Sequence, residues 1–190
     1  FDALQEKLDI TLPNSPGWDT MSCIKAAYEH QVDLAFILGG NLYASNPDQH
    51  YAETALNNIP FKIFLSTTLN QGHLAGCAGE SIILHVAARD EEKQSTTQES
   101  MFNFVRLSDG GIVRLSNVRS ETEVITDVAI GVLEEKQISF RKFKDHQNIR
   151  EAIAETIPGF EKIRSVGETG EEFQIGGRTL HEPVFNTADK

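Results

Sequence analysis

The chain has 190 residues, 39% of them hydrophobic, which is enough to bury one sizeable core and suggests one domain or slightly more. Asp and Glu number 28 against 17 Lys and Arg, for a formal net charge of -11. That balance argues against a nucleic-acid or anionic-membrane partner, because phosphate backbones are held by clustered cations that release counterions. No apolar run approaches the ~20 residues that cross a bilayer, and the start, Phe1-Asp2-Ala3-Leu4-Gln5-Glu6, lacks a basic stretch followed by an apolar one, so neither a membrane span nor a signal peptide is expected.

In chain order, Ser15-Pro16-Gly17-Trp18 places a capping residue before a proline at the first helical position, and Met21, Ile24 and Tyr28 follow at spacings of three and four. An amphipathic helix ending near His30-Gln31 is expected. The unbroken apolar run Leu34-Ala35-Phe36-Ile37-Leu38, bounded by Gly39-Gly40, predicts a central strand covered on both faces. Asn46-Pro47-Asp48-Gln49 then supplies a cap, a helix-opening proline and a capping-box Gln, with Tyr51, Ala55 and Ile59 on one face and Pro60 as a stop. Phe61-Lys62-Ile63-Phe64-Leu65 predicts a second strand ending in Ser66-Thr67-Thr68. A weaker helical stretch from Gln71 to Ala78 leads to a third strand, Ser81-Ile82-Ile83-Leu84-His85-Val86.

Three strands separated by helices make a βαβαβ unit with a mostly parallel sheet and right-handed connections, a Rossmann-like, three-layer α/β unit. Residues 88–98 are polar and predict a surface loop. Met101-Phe102-Asn103-Phe104-Val105 is apolar again, and Asp109-Gly110-Gly111 is a turn. Ser120 or Thr122 caps a helix in which Val124, Ile125, Val128, Ala129 and Val132 form a stripe, with Glu121 and Glu123 at its positive end. A charged connector from Lys136 to Asp145 precedes a helix from Asn148 to Ile157, stopped by Pro158-Gly159. Short strands are expected at Phe173-Gln174-Ile175 and Pro183-Val184-Phe185. The domains expected are 1–135, the nucleotide-binding unit, and 136–190, a helix and short strands leading towards a further domain. The chain does not begin with Met, and Asn186-Thr187-Ala188-Asp189-Lys190 gives no stop signal for a fold, which fits a stretch of a longer protein. Cys23 and Cys77 form no CxxC pair, so no iron–sulfur or structural zinc pattern is present, and two buried small thiols in a reduced, cytoplasmic chain are expected.

In an open parallel sheet ligands bind beyond the carboxyl ends of the strands. That rule selects Gly39-Gly40-Asn41, Ser66-Thr67-Thr68 and His85-Val86. Glycines at 39 and 40 let the backbone approach a ligand, and Asn41 both donates and accepts, which suits a phosphate, a ribose or a base edge. Gly-Gly-Asn is also an ordinary turn, and the full GxGxxG fingerprint is absent. Overall acidity does not exclude a pyrophosphate, since loop and helix-start N–H groups hold one without a basic residue. His73 and Cys77 stand four apart as a metal pair with no third ligand, so no metal site is expected. His85 near Asp90 and Glu91 admits an acid–base reading, although a lone strand-end histidine is usually structural. Glu134-Glu135 and Glu171-Glu172 read as solvated faces. No catalytic residue is assigned.

Several segments in order resemble the bis-molybdopterin-guanine-dinucleotide oxidoreductases, most closely the formate-dehydrogenase-like oxidoreductase alpha subunits. They are Leu34 to Asn41 (LAFILGGN), Ser45-Asn46-Pro47-Asp48, Thr67 to Leu74 (TTLNQGHL), Glu99-Ser100-Met101, Leu107 to Gly111 (LSDGG) and Arg119-Ser120-Glu121. The similarity covers residues 33–133, and 178–187 (RTLHEPVFNT) is similar to the segment leading into the next domain. It implies an internal fragment carrying one arm of a molybdopterin guanine dinucleotide with Mo or W. Gly39, Gly40 and Asn41 would meet the pyrophosphate and nucleoside, and Ser45 would start the next helix. Ser66 and Thr67 would sit by the ribose or guanine, where the family often has an acid. Val86 would offer backbone beside the nucleotide, and Glu121 would accept from the guanine N1–H and N2–H₂ pair. His85 falls where relatives commonly have proline and receives no role. A [4Fe-4S] centre is expected in the parent and not in this chain. The implied partners are the remaining domains of the same polypeptide, a small-molecule substrate and an electron-transfer partner. The alternative is a stand-alone nucleotide-binding module without redox activity, like the middle domain of thiamine-dependent enzymes.

Overall fold

The computed structural model describes residues 1–100, 103–133 and 138–176. Met101-Phe102, Glu134-Glu135, Lys136, the expected strand Pro183-Val184-Phe185 and the 178–187 similarity lie outside the described residues. Helix α1 (Asp2–Leu8) opens the chain and belongs, with the described residues from Ala88 onward, to one compact unit; Pro13–Ala87 forms the other. The division therefore differs from the one expected near residue 135, because strands either side of that point pair with each other.

In the Pro13–Ala87 unit, α2 (Thr20–Tyr28) precedes β1 (Leu34–Leu38), α3 (Leu42–Ser45), α4 (Gln49–Asn57), β2 (Phe61–Ser66), α5 (Gly72–Ala75) and β3 (Glu80–His85). All three strands run parallel in the order β1-β2-β3, as the βαβαβ pattern requires. Both long helices are capped by aspartates rather than by the residues expected. Asp19 accepts from Ser22 N at 2.7 Å and Asp48 from Tyr51 N at 2.9 Å, so Ser15 and Asn46 do not cap them. The buried stripe of α2 is Ile24 with Ala26 and Ala27, whereas Met21 is 58% exposed. Ile24 and Ala27 pack with Ala55, Leu56 and Ile59 against Ala35 and Ile37 of β1. Each buried Ile or Leu side chain of this cluster contributes about 1.5–3 kcal/mol.

Side chains alternate between faces along a strand. Ala35 and Ile37 face the helices, so Leu34, Phe36 and Leu38 lie on the opposite face with Phe61, Ile63, Leu65 and, from β3, Ile82 and Leu84. On that face Leu34 is 53% and Leu38 51% exposed. This corrects the expectation of a central strand covered on both sides: β1 is an edge, and β2, paired on both sides, holds the central place.

β2 also carries a fully buried lysine. Lys62 Nζ donates to Ile59 O at 2.7 Å and to Ala78 O, tying the end of α4 to the start of β3. Burial pushes its pKa below the usual lysine value. Both cysteines are free, Cys23 exposed and Cys77 half-buried, which corrects the expectation of two buried thiols. Cys23 lies beside the buried stripe of α2 rather than in it.

The other unit contains α1, β4 (Thr96–Glu99), β5 (Phe104–Ser108), α6 (Glu121–Val132), a 3-10 turn (Phe140–Lys144), α7 (His146–Thr156), α8 (Ile163–Thr169) and β6 (Phe173–Gln174). The strands form an antiparallel sheet in the order β4-β5-β6. Val105, Ala154, Phe160, Ile163, Val166, Phe173 and Ile175 make its core. β4 begins within the stretch expected to be a loop, and α8 lies in one where short strands were expected. α6 begins with a full capping box, Ser120 Oγ accepting from Glu123 N and the Glu123 carboxylate accepting from Ser120 N. Its expected stripe is only partly covered, since Val124 is buried while Val132 is 77% exposed. Among the described residues, no helix is long and apolar enough to cross a membrane.

Candidate functional site

The parallel register aligns Leu38, Leu65 and Leu84, so the residues that follow them share one edge of the sheet. Gly39 N donates to Leu65 O at 2.8 Å and Val86 N to Ser66 O at 3.1 Å, extending the ladder one step into the loops. The chain then turns through two left-handed residues, Gly39 at φ 60 and Gly40 at φ 70. An L side chain in that region costs about 1–2 kcal/mol, which glycine avoids. A Cβ added at either glycine meets nothing within 4 Å, so open space adjoins the backbone here.

Asn41 follows at φ -146, and its Oδ1 accepts from Ala44 N at 3.0 Å, capping the single turn of α3. The amides of Gly40 and Asn41 make no hydrogen bond among the described residues. A second loop braces this one. Asn70 Nδ2 donates to Gly40 O at 3.0 Å, its Oδ1 accepts from Gly72 N at 2.9 Å, and its own N–H donates to His73 Nδ1 at 3.0 Å. His73 is buried and meets the Phe64 ring edge-on, centroids 5.1 Å apart. The loops 39–46 and 66–73 contain no Lys, Arg, Asp or Glu. A phosphate here would be held by backbone amides and by the Asn41 carboxamide, whose oxygen is committed to Ala44 N and whose nitrogen remains the donor.

The structure thus gathers Gly39, Gly40 and Asn41 with Asn70, and sets Ser66 and Val86 on the same edge. Ser66 Oγ donates to Thr68 O at 2.6 Å, a turn-forming bond, and Thr67 beside it is exposed. Val86 is fully buried, its N–H already paired with Ser66 O. Ser45 does not start the next helix: it ends α3, its N–H donating to Asn41 O at 3.0 Å, and α4 begins four residues later at Gln49. Glu121 is the first residue of α6 in the other unit. Asn70 received no role from the sequence. The signal was its place two residues before Gly72, the pattern of a side chain that bonds its own backbone two residues on.

His73 and Cys77 are engaged elsewhere than with a metal. The His73 Nδ1 lone pair takes the Asn70 N–H, and Cys77 Sγ donates to Leu74 O at 3.2 Å. Among the described residues, no group of three or more His, Cys, Asp or Glu is placed to hold a metal ion. His85 is exposed at the end of β3, while Asp90 and Glu91, in the other unit, pair with Arg114 at 3.6 Å and 3.5 Å.

Fold and loop together define a Rossmann-like α/β unit with an uncharged glycine cradle at the carboxyl ends of its strands. Uncharacterized oxidoreductases of Mycobacterium bovis and Mycobacterium tuberculosis are 29% identical to the chain over 181 residues, which is 91% of this chain and 23% of each of them. The chain therefore spans about a quarter of the length of these relatives. No protein-family model matches it.

Proposed function

We propose that this chain is the part of a longer molybdenum- or tungsten-dependent oxidoreductase, of the formate-dehydrogenase-like kind, that holds the guanosine-diphosphate arm of a molybdopterin guanine dinucleotide. The observation that carries this reading is the Gly39-Gly40 pair, left-handed, open on its outer side and fixed through Asn70. Such a loop suits a pyrophosphate, because the Gly40 and Asn41 amides, without a hydrogen bond among the described residues, and the Asn41 carboxamide adjoin a glycine backbone with open space beside it. Similarity to oxidoreductases about four times as long as the matched stretch supports a redox parent.

In this reading Gly39, Gly40 and Asn41 bind the pyrophosphate and orient the nucleoside. Ser66 and Thr67 flank the ribose, and Val86 closes the floor beside it. When bound, the pterin cofactor supplies the electron conduit between substrate and metal. The residues of this chain bind and orient, and the [4Fe-4S] centre, the substrate and the electron partner belong to other parts of the parent. The exposed apolar face of the β1-β2-β3 sheet supports the remaining domains of the same polypeptide as its partner, since open sheets of this class are covered on both faces.

The test is metal and nucleotide analysis of the full-length protein. Molybdenum or tungsten is expected together with acid-released guanine nucleotide. Asn41→Asp keeps the α3 cap but sets a carboxylate against the pyrophosphate, and both contents are expected to fall about tenfold or more, since opposing like charges costs several kcal/mol. Unchanged metal content and activity in Asn41→Ala would overturn the assignment. Bound nucleotide with no metal would support the stand-alone nucleotide module instead.

A further inference from the structure

The unit containing α1 and α7 has a second concave feature, independent of the glycine cradle. A groove of about 620 Å³ is lined by Leu4 and Leu8 of α1, Ile125 and Ala129 of α6, Phe143, and Ile153 of α7. Small-molecule sites span roughly 300–1,000 Å³. Through Thr122, Ile149 and Ile153 it adjoins a smaller cavity of about 160 Å³, which Ser95, Thr96, Thr97, His146 and Arg150 complete. An apolar groove thus ends at a polar, cationic recess.

The recess holds a buried charge without a counter-charge in contact. Arg150 is 7% exposed, and its Nε donates to Gln147 Oε1 at 3.1 Å and its Nη1 to Ser95 O at 3.0 Å. Among the described residues it makes no ion pair within 4.0 Å. Asp145, the carboxylate that acts on it electrostatically, is committed to capping α7 through Gln147 N at 2.9 Å. His146 Nδ1 donates to Ser95 O at 3.2 Å, so on the neutral ring Nε2 accepts from Thr122 Oγ1 at 2.8 Å. Thr96 Oγ1 is buried with no hydrogen-bond partner among the described residues. A guanidinium and a hydroxyl so placed are costly to leave unanswered.

We propose that this unit binds an apolar monocarboxylate, with its hydrocarbon in the groove and its carboxylate in the recess against Arg150 and Thr96. Charge complementarity selects the anion: a neutral apolar occupant fills the groove but leaves Arg150 unpaired. The planar guanidinium matches a carboxylate, and the Thr96 methyl and the sec-butyl side chains of Ile149 and Ile153 disfavour the second charge of a phosphate.

Calorimetric titration of the full-length protein with octanoate, and with octan-1-ol as the neutral chain, tests this. Octanoate is expected to bind about tenfold or more tightly than octan-1-ol, the worth of a charge-assisted hydrogen bond. Arg150→Met is expected to abolish that preference, Thr96→Val to weaken it, and Ile125→Glu, on an exposed rim of the groove, to weaken both ligands. If Arg150→Met fails to fold, Thr96→Val and Ile125→Glu still decide. Equal affinities, a preference that survives in every folded variant, or no binding of either ligand, as when another segment of the polypeptide fills the groove, would overturn the proposal.

Discussion

Asn70 holds the carbonyl of Gly40 at 3.0 Å across 30 residues of sequence, while its Oδ1 takes the amide of Gly72 at 2.9 Å. One side chain therefore ties the glycine loop after β1 to the loop after β2. Asn70→Asp keeps the acceptor for Gly72 N and loses the donor to Gly40 O. A stability loss of about 1–2 kcal/mol is expected, measurable by urea denaturation, together with faster amide exchange across residues 39–41. Unchanged exchange in that loop would show that the bond does not hold it.

Gly72 packs against the same site from the other side. A Cβ added there lies 2.7 Å from Asn41 Oδ1 and 3.1 Å from Asn70 Oδ1. Gly72→Ala is therefore expected to displace the Asn41 carboxamide from Ala44 N and to lower nucleotide content in the full-length protein more than Gly17→Ala, where the added Cβ meets nothing within 4 Å. Equal nucleotide content in the two variants would argue against a role for the Asn41 side chain.

Lys62 supplies a pH signature. Burial lowers its folded-state pKa, so between that value and the unfolded value of about 10.4 the unfolded chain binds more protons. Stability from this group is complete above the unfolded pKa and is lost as pH falls through the lowered one. Denaturation midpoints of the unmodified chain should rise across that alkaline window relative to Lys62→Met, which cannot titrate. Parallel pH profiles for the two proteins would refute this. The variant also leaves Ile59 O and Ala78 O without their donor, a separate, pH-independent loss.

Asp127 lies between two cations, Lys144 Nζ at 2.5 Å and Arg119 Nη1 at 3.1 Å, and the hydrogen bond from Lys144 is the main cause of its lowered pKa. Its contribution is present above the unfolded Asp value of about 3.9 and disappears as pH falls through the lowered one. All three side chains are partly exposed, so Asp127→Asn should cost under about 1 kcal/mol and less in high salt. Ser120→Ala, which removes the cap of the same helix, should cost about 1 kcal/mol regardless of salt. Equal salt sensitivity of the two losses would contradict this division.

Much of the fold was legible because it is written in short-range patterns. The runs from Leu34 and Phe61 and the Ser120 capping box are local signals, and strands, order and cap all follow from them. Caps were ambiguous where two candidates lay close together: Asp19 and Asp48 displaced Ser15 and Asn46. Strand β4 (Thr-Thr-Gln-Glu) is polar and becomes a strand only through its pairing with β5, and α8 offers just Ile163 and Val166 as buried residues, too few for a periodicity.

By itself the sequence determined the parallel α/β unit, the glycine pair at the end of β1 and the absence of charge in the loops around it. Tertiary structure alone decided that β1 is an edge, that Asn70 clamps Gly40, and that Arg150 and His146 converge on the carbonyl of Ser95 from 55 and 51 residues away. The physical reason is range. Propensity, capping and alternation act within a few residues, whereas burial, long-range hydrogen bonds and unpaired charges exist only once distant segments occupy the same space.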